Sequence, residues 1–199
     1  MLSEAKSTSG GRKLFLFMMV SLDGYIEGPN HDLSWHNVDS EFNDYAIEQT
    51  KNVGTLLFGH TTYDVMKDYW PTVNAREDDP VVANLMNTTP KIVFSRSLEK
   101  VEETEYWKNV RLMKDVVTEE IQKLKEESSK DIAVYGSNNL CVTLLEMGLL
   151  DELRIMVNPV VIGSGTPLFK GIKSKLSLQL LGTKEFKNGN VLLIYKPQE

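Results

Sequence analysis

Four short runs in this chain carry almost no polar residue. They are KLFLFMMVS (13–21), GTLLFG (54–59), PKIVFS (90–95) and DIAVYG (131–136). A strand with one face in water alternates apolar and polar residues, because successive side chains point to opposite faces. A run that is apolar at nearly every position must be covered on both faces, as a strand inside a parallel sheet is. Parallel neighbours need crossovers, so helices should lie between these runs.

Helical spacing is found there. In DSEFNDYAIEQTKNV (39–53), Asp39 or Ser40 can cap a helix whose stripe is Phe42, Tyr45, Ala46 and Gln49. HTTYDVMKDYW (60–70) opens on polar residues, with Thr61 and Thr62 as caps, and must end before Pro71. ARED leads into DPVVANLMNTT (79–89), which carries Pro80 in a first turn. DVVTEEIQKLKEESS (115–129) places Val116, Val117, Ile121 and Leu124 inside and its charges outside. SNNLCVTLLEMG (137–148) follows the last run, VRLMK (110–114) is a further strand, and LDGYIEGPNHDLSW (22–35) reads as a loop.

After Gly148 the pattern changes. DELRIMVNPVVIG (151–163), LSLQLLGTKEF (176–186) and GNVLLIYKP (189–197) read as strands, with the loop GSGTPLF (163–169) after the first. The last two would pair as a hairpin around 187–189. The expectation is one α/β domain over 13–199: a mostly parallel sheet, helices on both faces, and an antiparallel C-terminal edge. Residues 1–12 read as a loose tail.

Composition narrows the function. A net charge of −6 opposes nucleic acid and anionic lipid as partners. No apolar run reaches the roughly 20 residues of a membrane span. The single cysteine, Cys141, fits a cytoplasmic setting. His31, His36, His60 and Cys141 lack metal-ligand spacing. There is no G-x-G-x-x-G, P-loop or G-x-S-x-G. Three strand ends do carry small polar residues: Gly59-His60-Thr61-Thr62, Ser95-Arg96-Ser97, and Gly136-Ser137-Asn138-Asn139. Ligands of open α/β sheets bind at such ends, and helix N-termini there suit phosphate.

Five segments, LFLFMMVSLDGYIEG, LLFGHTTYD, KIVFSRSL, IAVYGSNNL and VNPVVIGSGTPLF, carry a resemblance. Their order and spacing resemble the dihydrofolate reductase-like superfamily over about Lys13 to Lys196, with its three-layer fold. More narrowly, the chain looks like the reductase domain of the bifunctional riboflavin-biosynthesis deaminase–reductase and its stand-alone bacterial relatives. The zinc-binding His/Cys pattern of a deaminase is missing from this sequence.

The resemblance implies an NADPH-dependent reductase. Hydride would pass to a C=N or C=O carbon of a small heterocycle, as in the 5-amino-6-(5-phosphoribosylamino)uracil reductase step. A dihydrofolate or pterin reductase, or a nucleotide-binding protein without turnover, are the alternatives. Gly59, His60, Thr61 and Thr62 would hold cofactor phosphates, and Ser95 and Arg96 would meet the 2′-phosphate. Gly136, Ser137, Asn138, Asn139 and Leu140 would cradle the pyrophosphate, and Val20 would touch the nicotinamide amide. The family often has Gly-Arg where this chain has Gly59-His60, and Gly-Gly where it has Gly136-Ser137.

Asp39 and Glu41 are the candidate acids, though each also suits a helix start. Asp23, Trp35, Tyr45, Gly165 and Thr166 are candidates for the substrate side. His36 reads as a surface histidine. The apolar C-terminal strands suggest a homodimer, because edge strands need cover.

Overall fold

The computed structural model describes residues 12–198. One eight-stranded sheet organises them. In chain order its strands are β1 (Leu14–Ser21), β3 (Val53–Gly59), β4 (Lys91–Phe94), β5 (Val110–Met113), β6 (Asp131–Val134), β7 (Glu152–Asn158), β9 (Leu178–Glu185) and β10 (Val191–Pro197). Their spatial order is β5-β4-β3-β6-β1-β7-β10-β9. The first six run parallel, while β10 is antiparallel to both β7 and β9. The tail expectation falls outside the described residues except at Arg12, whose Nε donates to Ser128 O at 3.2 Å.

The apolar runs are sandwiched as their composition requires. Leu14, Leu16, Leu57, Ile92, Ile132 and Val134 face one cluster with Ile121, Leu140 and Leu144. Their sequence neighbours Phe15, Leu56, Phe58, Val93 and Ala133 face another, with Tyr63, Val82 and Met86. So α5 (Thr118–Glu127) and α6 (Asn138–Glu146) cover one face. The other face is covered by α2 (His60–Tyr69) and α4 (Pro80–Thr88). On that face α1 (Ser40–Lys51) extends the cover, with Phe42 and Tyr45 tilted against Phe17 at 6.5 and 6.0 Å.

Several local expectations are corrected. Thr61 and Thr62 do not cap α2: its cap position is Gly59, with no side-chain bond. ARED belongs to a short helix, α3 (Val73–Asp78), capped by Thr72. Helix α5 starts at Thr118, so Val117 is its cap residue and is exposed, where an inward position was expected. The segment 22–35 is not wholly loop. It contains β2 (Tyr25–Glu27), paired with β8 (Thr166–Pro167) from the GSGTPLF segment, and a 3-10 turn at Pro29–His31. Strand β7 stops at Asn158, where the Asn158 side chain bonds back to Val20 O and Met156 O.

Lys91 departs from its apolar run in an unforeseen way. Its ammonium is buried and donates to the carbonyls of Asn87, Thr89 and Lys108 at 2.7–3.0 Å. Burial pushes it down to about 7.

Candidate active site at the strand ends

Because β4, β3, β6 and β1 are adjacent and parallel, their C-terminal ends open on one edge. The peptide N–H of Gly59 donates to Gly136 O at 2.9 Å, so two of the polar strand ends touch. A methyl group at Gly59 would sit 2.2 Å from Ser137 Oγ, and one at Gly136 would sit 2.6 Å from Thr62 Oγ1. Gly136 also has φ +116, and the Gly136–Ser137 peptide is cis. Glycine is needed twice at this junction because the two segments meet without room for a side chain.

Two helices start here without help. Neither Gly59 nor Ser137 caps its helix through a side chain, and neither α2 nor α6 has an acidic residue in its first turn. Helix α5 also begins at this edge uncapped, but Glu119 and Glu120 occupy its first turn. The contrast matters because a helix start holds unpaired N–H groups and partial positive charge. At α5 that charge is met by carboxylates; at α2 and α6 it is left for an anion. These two starts, with glycine approach between them, fit the pyrophosphate of a dinucleotide.

The third strand end joins through hydroxyls. Ser97 Oγ lies 3.3 Å from His60 Nδ1 and 3.2 Å from Ser95 Oγ. Ser95 is buried, and its Oγ accepts from Leu98 N, shaping the turn. Arg96 points outward, with its guanidinium paired to Asp115.

The remaining candidates fall into separate groups. The Asn138 side chain turns away from the edge and donates to the carbonyls of Pro167, Leu168 and Lys170. Leu140 is core, and Asn139 is exposed with its carbonyl bound by Thr143 Oγ1. The Val20 side chain is core too, and its carbonyl accepts from Asn158 Nδ2 at 3.2 Å. The α6 start is thereby stapled to the 167–170 segment, next to Gly165 and Thr166. Gly165 has no room for a Cβ, which would meet Glu27 O at 1.9 Å, and Thr166 Oγ1 donates to Glu27 Oε1 at 2.7 Å. Asp23 binds across the same rim, accepting from the N–H groups of Ile162 and Gly163 at 3.2 and 2.8 Å. The Ser21 hydroxyl and these two N–H groups hold its carboxyl below the usual range.

Asp39 and Glu41 sit elsewhere. Asp39 is the α1 cap and accepts from Phe42 N at 2.9 Å. Glu41 accepts from Lys187 N at 3.0 Å, tying α1 to the β9–β10 hairpin. Tyr45 lies on α1, edge-on to Phe186, and donates to Gln49 Oε1 at 2.7 Å; burial pushes its phenol upward. Trp35 is half-buried, with Nε1 on Asp32 O at 3.0 Å and its ring edge-on to His36 at 4.5 Å. His36 is not a surface histidine. Its Nε2 is buried with no partner among the described residues, and burial pulls its imidazole below the usual histidine range.

Residues that the sequence did not single out complete the rim. Glu27 bridges Thr166 and His31, whose Nδ1 is 2.8 Å from Glu27 Oε2. Asn158 accepts from Asn37 N; Asn37 exchanges bonds with Asn188 of the hairpin, and its carbonyl also accepts from Asn190 Nδ2. Tyr135, just before Gly136, packs on Phe17 and reaches Thr50. Single polar residues in loops give no periodicity to read, so none of these left a trace in the sequence. Two clefts lie away from this edge, one beside Arg76, Asn87 and Tyr106 and one beside Gly54 and Leu124.

Comparison with known proteins agrees with this architecture. The RibD C-terminal domain family matches residues 12–192. A Bacillus subtilis (strain 168) protein, YyaP, described as uncharacterized, is 32% identical over 186 residues, 92% of this chain and 94% of its own. Among solved structures, Enterococcus faecalis dihydrofolate reductase complexed with NADP(H) superposes with a TM-score of 0.63 at 17% identity, covering 94% of this chain and 97% of that one. A Thermotoga maritima diaminohydroxyphosphoribosylaminopyrimidine deaminase/5-amino-6-(5-phosphoribosylamino)uracil reductase superposes at 0.66 and 17% identity, covering 94% of this chain and 57% of that one. These two structural likenesses speak for the fold, whereas the family match and the YyaP identity span nearly the whole sequence: the chain belongs to the RibD C-terminal domain family.

Proposed function

We propose that the chain is an NADPH-dependent reductase acting on a small heterocycle of the riboflavin-precursor type. The observation that carries this reading is the meeting of two uncapped, acid-free helix starts across Gly59 and Gly136. The first-turn N–H groups of α2 and α6 would bind the cofactor's phosphates, with Thr62 and Ser137 beside them. Arg96, next to buried Ser95, would take the 2′-phosphate through its planar fork. When bound, the nicotinamide supplies hydride to a C=N or C=O carbon. The chain itself orients the two partners. The rim of Asp23, Glu27 and Thr166 holds the loops over the end of β1, and Asn138 locks that rim to the pyrophosphate end.

Nucleotide binding without turnover is a second reading, favoured by one observation. Asp39 and Glu41 are each already engaged in holding the fold, Asp39 as the α1 cap on Phe42 N and Glu41 on Lys187 N of the hairpin. The remaining proposals are a cytoplasmic setting and a homodimer formed along the β9 edge.

Titration with NADPH and NADH, followed by nicotinamide fluorescence, tests the cofactor reading. NADPH should bind more tightly than NADH, and Arg96→Ala should remove most of that preference. Absence of binding by either cofactor up to millimolar concentration would overturn it. If binding holds, single-turnover oxidation of NADPH with candidate pyrimidines separates reductase from binder.

A further inference from the structure

Arg96 and His60, two of the side chains assigned above to the cofactor, already carry a carboxylate each. Arg96 places Nε 2.6 Å and Nη2 2.5 Å from one oxygen, Oδ1, of Asp115. His60 places Nε2 3.1 Å from Asp64 Oδ2, and Lys67 lies 3.8 Å from Asp64 Oδ1. The Asp115 carboxylate therefore sits on the guanidinium fork in the way a phosphate oxygen would.

Asp115 has no evident structural duty. Among the described residues its side chain accepts only from Arg96. It caps no helix, because the α5 cap position is Val117. The pair is open to solvent, with side-chain exposures of 85% and 54%. Exposed pairs of this kind contribute little to stability. Selection for folding does not explain an acid placed against the one arginine at the strand ends.

We propose that Asp115 is a specificity-determining residue that competes with the 2′-phosphate for Arg96, and so restrains the preference for NADPH over NADH. The inference rests on the cofactor reading above. An arriving 2′-phosphate must displace Asp115 from the guanidinium, and it meets the Asp115 charge nearby once displaced. NADH meets neither cost, since it carries no group that needs Arg96.

The test is calorimetric titration of the wild type, Asp115→Asn, Arg96→Ala and the double variant with NADPH, NADH and adenosine 2′,5′-bisphosphate. Asp115→Asn should tighten NADPH and the bisphosphate by about two- to fivefold, matching the worth of an exposed pair, and leave NADH unchanged. The gain should vanish when Arg96→Ala is also present. Unchanged or weaker NADPH binding by Asp115→Asn overturns the inference while leaving the cofactor reading intact. Equal tightening of NADPH and NADH, or a gain that survives without Arg96, also overturns it. If the wild type binds none of the three ligands, the cofactor reading itself fails and this inference falls with it.

Discussion

Gly59 and Gly136 are both required, but for different reasons. Gly59 has an ordinary φ of −77, so only contact restricts it; the nearest atom to an added Cβ is Ser137 Oγ. Gly136 has φ +116 as well as Thr62 Oγ1 in the way, so a side chain there is disfavoured by backbone and contact together. Gly59→Ala should cost about 1–3 kcal/mol, the range for overpacking a tight site. Ser137→Gly in the same chain should recover part of that loss, because it removes the closest atom. Gly136→Ala should recover less in the Thr62→Ala background, because φ is unchanged. Urea unfolding of the four variants checks both statements. Equal recovery at the two sites would mean that φ contributes nothing. The two glycines were legible in the sequence from their position between strand and helix. Which atoms crowd them was not, because Ser137 and Thr62 are 78 and 74 residues away from the respective glycines.

At the level of elements, α1 shows how a cap and a catalyst can be confused. Asp39 before SEFNDY suits both roles on paper, and its carboxylate accepts from Phe42 N, as a cap does. Asp39→Ala should therefore lose about 1 kcal/mol of stability. Asp39→Asn should keep nearly all of it, because an asparagine oxygen caps as well. Reductase turnover should survive in Asp39→Asn under the capping role. A folded Asp39→Asn protein that binds NADPH yet turns over substrate a hundredfold more slowly would return Asp39 to the list of acids. The strands were readable because burial on both faces leaves a run of apolar residues. The short elements were not. Helix α3 has six residues and β8 has two, too few for any period to show. Helix α2 misled in another way: its threonines look like caps, yet the chain leaves its N–H groups free where an anion would bind.

For the whole molecule, the sheet has one apolar edge. Among the described residues β9 pairs only with β10, and Leu180 and Leu181 stay 51% and 48% exposed. Unprotected edges template further pairing, so the chain should sediment as a dimer at micromolar concentration. Leu180→Glu with Leu181→Glu should convert it to monomer without unfolding it. A wild type that is already monomeric at 100 micromolar, on the order of the loosest stable dimers, would overturn this. The layers were readable from the residues alone: runs apolar at nearly every position must be covered twice, and helices with one apolar stripe must do the covering, since water excludes both surfaces. So were the strand ends that could meet an anion, because glycine and polar helix starts are local properties. What those ends do to each other depends on how the strands are ordered in space. The order β5-β4-β3-β6 brings Gly59 to Gly136 and His60 to Ser97, and it sets Asp115 against Arg96. Such pairings join residues far apart in the chain, and a contact whose energy depends on a few ångströms of separation leaves no periodic mark in the sequence.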